Sequence, residues 1–226
     1  MPSLVSMARF VVRVWLPDRP GALGLVASRI GAVRGEILGI EVLERGAGRA
    51  VDELVVELPD PELIDLLTDE INAVDGVDVE DVRPAPSALH DPRLDALETV
   101  ALLVGACTAT EVLTVLVRHA KADLEAEWAV VVDSGSSAVI AAVGETPSAG
   151  WLSAFIGGSR ISDRVAAGDT GPNDLAWAPL AASGFDLVLG RRGRPLRARE
   201  RHQLMALARI ADLRWSQVAD AVALER

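Results

Sequence analysis

The most constraining stretch of this sequence is Leu16-Pro17-Asp18-Arg19-Pro20-Gly21-Ala22-Leu23, because the hydrophobic period changes across it. Before it, Phe10, Val12, Val14 and Leu16 alternate with Arg9, Val11, Arg13 and Trp15, the period of two that marks a strand. After it, Leu23, Val26, Ala27 and Ile30 recur at the spacing of one helix face. Pro20 pre-sets a turn, and Gly21 lets the backbone come close to a neighbour. A chain folded this way opens a helix at a tight bend, with its first amides free to meet an anionic group.

The pattern continues in the same style. Residues 35–44 alternate between flanking glycines, and Arg45-Gly46-Ala47-Gly48 supplies hairpin turn residues. Val51 to Leu58 reads as a third strand. Asp60-Pro61-Glu62 is a helix start, with a capping Asp, Pro at the first helical position and an acid in the first turn. Ile64, Leu67, Ile71 and Val74 form the apolar face of that helix, Asp75-Gly76 ends it, and Val77 to Val82 is a fourth strand. The order predicts a ferredoxin-like βαββαβ unit with both helices on one sheet face, so the fold class is α+β.

The first strand, the Asp-Arg-Pro-Gly-Ala-Leu bend and the helix after it resemble the opening of an ACT domain over residues 8–84. ACT domains are small regulatory modules that usually bind amino acids between two copies. The resemblance implies a site built from Leu16, Asp18, Arg19, Gly21, Ala22 and Leu23, completed by Glu36 and Ile37 at the start of the second strand. Many amino-acid-binding members carry Asn at the polar positions where this chain has Asp18 and Glu36. Two carboxylates suit a basic or amine-rich ligand, or mark a site that has been lost. From the residues alone, Asp18 is equally an ordinary turn residue and Glu36 a solvated strand end.

Pro84 to Pro92 is proline-rich and aperiodic, which predicts a linker over residues 85–94 and a second domain over 95–219. His90 in it reads as a solvated linker residue. Leu94 to Val104 and Glu111 to Leu124 have helical spacing. Trp128 to Asp133 and Val139 to Val143 read as strands joined by a Ser-Gly turn, and Trp151 to Ile156 as a short helix. Residues 157–172 read as irregular, Asp174 to Ala182 and Phe185 to Gly190 as a strand pair, and Leu196 to Ala219 as a long helix. From about Thr110 to Trp215 this order, with Trp177-Ala178-Pro179-Leu180 and Phe185-Asp186-Leu187-Val188-Leu189-Gly190, resembles a GAF domain with a long terminal helix. The resemblance implies dimerisation or small-molecule sensing. Trp151, Phe155, Trp177 and the 157–172 stretch would be its pocket wall, or else simple core.

Composition narrows the function classes. A net charge of −11 opposes non-specific binding to nucleic acid or an anionic membrane. The excess is uneven: the first 83 residues carry twice as many acidic as basic side chains, and the remainder nearly equal numbers. No apolar run is long enough to span a bilayer, which predicts a cytoplasmic protein. Cys107 is the single cysteine, and so no internal disulfide or cysteine cluster can form. His90, His119 and His202 are scattered, and Asp123, Glu125 and Glu127 splay around a helix end. Asp133-Ser134-Gly135-Ser136 lacks the glycine and lysine of a phosphate loop. Arg191, Arg192, Arg194, Arg197, Arg199 and Arg201 form the one basic cluster, either a dock for an acidic partner or a solvated loop. No nucleophile, base and orienting group come together.

The reading is a non-enzymatic, cytoplasmic homodimer that binds an amino acid or similar small molecule through its first domain, with no cofactor and no metal. The alternative is a structural or protein-interaction module whose ligand site is empty.

Overall fold

A computed structural model describes residues 7–85 and 92–224, and the chain divides between His90 and Asp91 into two compact units. His90 and most of the proposed linker lie outside the described residues.

The first unit is built as β1 (Ala8–Pro17), α1 (Ala22–Ala32), β2 (Glu36–Gly46), β3 (Arg49–Leu58), α2 (Ile64–Asn72) and β4 (Asp78–Pro84). A single turn of tighter helix, Pro61–Leu63, leads into α2, and the Asp60 side chain caps it by accepting the Glu62 amide at 2.9 Å. The sheet is antiparallel in the order β2-β3-β1-β4, the ferredoxin-like arrangement. Val12, Val14 and Leu16 of β1 and Ala50, Leu54, Val56 and Leu58 of β3 meet Ala22, Val26, Ile30, Leu67 and Ile71 in one core. The alternation of β1 thus carries through as expected. The buried stripe of α1 is Ala22, Val26 and Ile30, with Leu23 and Ala27 on its flank.

The other face of this sheet is lined with charge. Arg9 stands opposite Glu57 and Arg13 opposite Glu53, and each guanidinium bonds its cross-strand carboxylate at 2.7–3.0 Å. Arg83 of β4 joins Glu53 as well. Directly opposed opposite charges are the favourable pairing in a sheet. Burial works to raise the Glu53 carboxyl, but Arg83 and Arg13 together hold it below its ordinary value.

The second unit contains α3 (Pro92–Gly105), α4 (Ala109–Asp123), β5 (Trp128–Asp133), β6 (Val139–Val143), α5 (Ala149–Ile161), α6 (Asp163–Ala166), β7 (Leu175–Leu180), β8 (Phe185–Gly190) and α7 (Ala198–Leu224). Its sheet is antiparallel in the order β6-β5-β8-β7. Ala129, Val131, Leu187 and Leu189 face a core with α3, α4 and α7, whereas Val130, Val132, Trp177 and Val188 face Leu152 and Ile156 of α5. Both faces are covered, and so β5 and β8 are almost wholly apolar.

One expectation fails here. Residues 157–172 are not irregular throughout: α5 runs on through Gly157 and Gly158 to Ile161, and α6 follows. The two glycines lower intrinsic helix propensity, but tertiary contacts outweigh that cost. Ile156 and Ser159 are buried, and Arg160 bonds a buried carboxylate of β8. Among the described residues, no helix is long and apolar enough to cross a membrane.

Candidate functional site

The bend between β1 and α1 has the geometry its sequence requires. Gly21 occupies the cap position of α1 at φ 87°, a left-handed conformation that favours glycine, and it contributes no side-chain cap. A Cβ added there would meet nothing within 4 Å, so the bend is open on that side. Pro17 and Gly48 pin it from behind. The Arg19 amide bonds the Pro17 carbonyl, and the Asp18 amide bonds the Gly48 carbonyl at 2.9 Å. The Ala22 amide reaches back to Arg19. The next two amides, of Leu23 and Gly24, lie in the first turn, where a helix offers no acceptor of its own.

Each predicted residue has a definite place. Leu16 and Ala22 are buried in the core under the bend, Leu23 is partly buried, and Asp18 and Arg19 are exposed at the tip. The Asp18 carboxylate faces Arg45 of β2 at 3.9 Å, a loose pair in which the Arg45 side chain is 64% exposed. Glu36 and Ile37 are elsewhere. They stand opposite Glu57 and Val56, whereas the bend lies at the Arg49 end of β3. Eight strand residues, or about 25 Å, separate the two groups within one chain. Within one chain the two halves of the predicted site do not meet.

One residue at the bend end went unnoticed in the sequence. Asp52 stands opposite Val14 of β1 and Val42 of β2. Directly opposed residues share a face, and Val14 belongs to the core beneath the helices. Asp52 is therefore a carboxylate on the apolar side of the sheet, 4% exposed, and its Oδ1 has no hydrogen-bond partner among the described residues. Burial pushes its carboxyl above the ordinary value, Arg45 pulls it back, and Asp18 pushes it up again. Asp18, Arg45 and Asp52 thus form one electrostatically coupled group beside the open tip of α1. Strand parity was the available signal: Asp52 falls in step with Leu54, Val56 and Leu58.

In the second unit the expected pocket wall is split: Trp177 is core, Phe155 is partly buried and Trp151 is exposed. Trp177 is buried against Val130, Leu152 and Ile156, and its indole donates to Asp186 at 2.9 Å. Trp151 and Phe155 stack on each other at 5.6 Å. A groove of about 330 Å³ is lined by Thr110, Leu113 and Thr114 of α4, Ile140 and Ala141 of β6, and Trp215 of α7, among others. None of the residues expected at the wall lines it.

The arginine cluster is divided: Arg191, Arg197 and Arg201 are buried in the fold, whereas Arg192 and Arg199 are exposed. Arg191 is buried and donates to the carbonyls of Leu124, Arg194 and Pro195 and to the Glu200 carboxylate. Arg201 donates to the Gly168 and Leu196 carbonyls, Arg192 pairs with Glu127, and Arg194 pairs with Glu125. These cations tie loops to the sheet and to α7. Asp123, Glu125 and Glu127 point to three different partners: Thr99, Arg194 and Arg192. Asp133 closes the β5–β6 turn by accepting the amides of Gly135 and Ser136, which lowers its pKa. His119 meets Thr99, and His202 lies 3.4 Å from Asp169.

No protein-family model and no curated protein matches this chain. Among solved structures, the ACT domain of a GTP pyrophosphokinase from Chlorobium tepidum is similar at 18% identity, over 35% of this chain and 100% of that one, with a TM-score of 0.29. A formyltetrahydrofolate deformylase from Pseudomonas putida is similar at 16% identity, over 43% of this chain and 38% of that one, with a TM-score of 0.28. A protein of unknown function from Galdieria sulphuraria matches over 91% of this chain and 92% of its own, at 15% identity and a TM-score of 0.32. Likenesses this shallow carry no chemical argument.

Proposed function

We propose that this chain is a non-enzymatic regulatory protein that binds an amino acid or similar small zwitterion at the β1–α1 bend of an ACT-like first unit. The observation that carries the reading is the open, uncapped tip of α1 at Gly21, with two carboxylates, Asp18 and Asp52, at the same end of the sheet. Helix-tip amides favour a ligand carboxylate, and neighbouring acids favour its ammonium.

The site is shared between two copies. β2 is an edge strand, and Ile40 on it and Leu25 on α1 are each about half exposed. Antiparallel pairing of two β2 edges about Glu41 sets Glu36 of one copy opposite Gly46 of the other, next to the Asp18–Arg45 pair. That pairing delivers Glu36 and Ile37 to the bend they cannot reach within one chain. The GAF-like second unit serves dimerisation, or sensing through the groove beside Trp215. Binding at the shared site favours one dimer arrangement over another, and the output follows from that shift.

A second reading is a protein-interaction module, and α3 favours it. Leu94, Leu97, Leu102 and Val104 on that helix are each about half exposed or more, an apolar display of the kind that marks protein contacts.

A thermal-shift series over the standard L-amino acids separates the two. Under the sensing reading at least one raises the melting temperature with concentration, because a ligand at a hundred times its Kd adds about 2.7 kcal/mol. Asp18→Ala removes that rise. Flat traces at millimolar ligand favour the interaction reading.

A further inference from the structure

The bend end of the first unit is out of balance in two opposite ways. The tip of α1 presents the amides of Leu23 and Gly24 with no cap, and so lacks an anion. Beside it, among the described residues, Arg45 pairs with Asp18 and is the cation that acts on Asp52, one positive charge against two carboxylates. Arg45 does not make up the deficit. It stands 3.9 Å from Asp18, is 64% exposed, and leaves Asp52 Oδ1 without a hydrogen bond. A sealed carboxylate oxygen with no donor is rare in a folded protein, and each instance calls for an explanation. Its partners in the sheet, Val14 and Val42, cannot donate from their side chains. No described residue supplies the missing donor.

A zwitterion supplies both missing charges at once, and the geometry points to Asp52 as the residue that receives its ammonium. This deepens the sensing reading and rests on it. The ligand's carboxylate lies on the Leu23 and Gly24 amides, and its ammonium reaches past Arg45 to Asp52 Oδ1, with Asp18 as the outer partner. The exposed Arg45 is the group the ammonium displaces, which opens a path from the bend. Selectivity follows from the same contacts. The site takes α-amino acids and rejects the corresponding 2-hydroxy acids, because a hydroxyl brings no charge to a buried carboxylate.

The test is calorimetric titration of the intact protein with each standard L-amino acid, then of each binder's 2-hydroxy analogue, on wild type, Asp52→Asn and Asp52→Ser. Asn keeps the shape of the site and removes the charge, while Ser remains available if Asn disturbs the sheet. The expected result is an affinity for the amino acid about ten- to a hundredfold weaker in both variants, with the hydroxy acid's affinity little changed. The amino-acid preference therefore collapses. Wild-type affinity in the variants, or an equal loss for both ligand types, overturns the assignment of Asp52 and leaves the sensing reading standing. If wild type binds no amino acid, the sensing reading falls and this inference with it.

Discussion

Each unit buries one aspartate in its sheet, and the two are treated in opposite ways. Asp186 of β8 is fully buried and fully partnered. Arg160 of α5 bonds both its oxygens at 2.7 and 2.9 Å, Trp177 donates to Oδ1, and Ser134 donates to Oδ2 at 2.6 Å. Asp52 of β3 is almost as deeply buried, yet among the described residues its Oδ1 meets no donor. A satisfied buried carboxylate joins elements: Asp186 ties α5, the β5–β6 turn and β7 into one piece. An unsatisfied one destabilises the fold and is tolerated where it has other work. The comparison separates a satisfied acid from an unsatisfied one by hydrogen bonds rather than by depth.

The largest effect expected from this contrast is at Asp186. Asp186→Ala strands the Trp177 indole N–H and half of Arg160, and lowers unfolding stability by about 2–4 kcal/mol. Chemical denaturation monitored at the buried Trp177 reads it, and a loss below half a kcal/mol would put the two acids on one footing. At Glu53, the neighbour of Asp52 on the opposite face, Glu53→Gln costs about 1–2 kcal/mol at neutral pH by weakening the bonds to Arg13 and Arg83. Asp52→Asn runs the other way and adds about 1 kcal/mol at neutral pH, because it removes a buried charge that lacks a donor.

The adjacent carboxylates also titrate in opposite senses. The folded chain keeps the Asp52 proton after the unfolded chain has lost it. The Asp52 contribution to stability therefore falls as pH rises from the ordinary aspartate range through its raised folded value. The folded chain releases the Glu53 proton before the unfolded chain does. Its contribution is full above the ordinary glutamate range and is lost as pH falls through the depressed folded value. Denaturation midpoints across mildly acidic pH should slope one way in Asp52→Asn and the other in Glu53→Gln. The same slope in both contradicts the face assignment.

Much of this contrast could be read from residue order. The change of period at Asp18 to Gly21 placed the bend, and the alternation of Phe10, Val12, Val14 and Leu16 placed the core face of β1. Parity along β3 also put Asp52 on the apolar face. Asp52 went unremarked all the same, and its pairing with Val14 is what brings it out. The distance between Glu36 and the bend was hidden as well, because it depends on strand order and not on sequence spacing. In the second unit Gly157 and Gly158 read as irregular chain, and the Arg160–Asp186 bond with the burial of Ile156 and Ser159 accounts for the helix there. The arginines of 191–201 read as surface because their acceptors are mostly backbone carbonyls, Leu124 and Gly168 among them, which side-chain chemistry does not reveal.

The most direct test of the central claim is amide NMR of the intact protein titrated with the amino acid that gives the largest thermal shift. The account predicts saturable changes at Gly21, Leu23 and Gly24 on the tip of α1 and at Asp52 on β3. Changes confined to the groove beside Trp215, or no saturable change at the tip, contradict it.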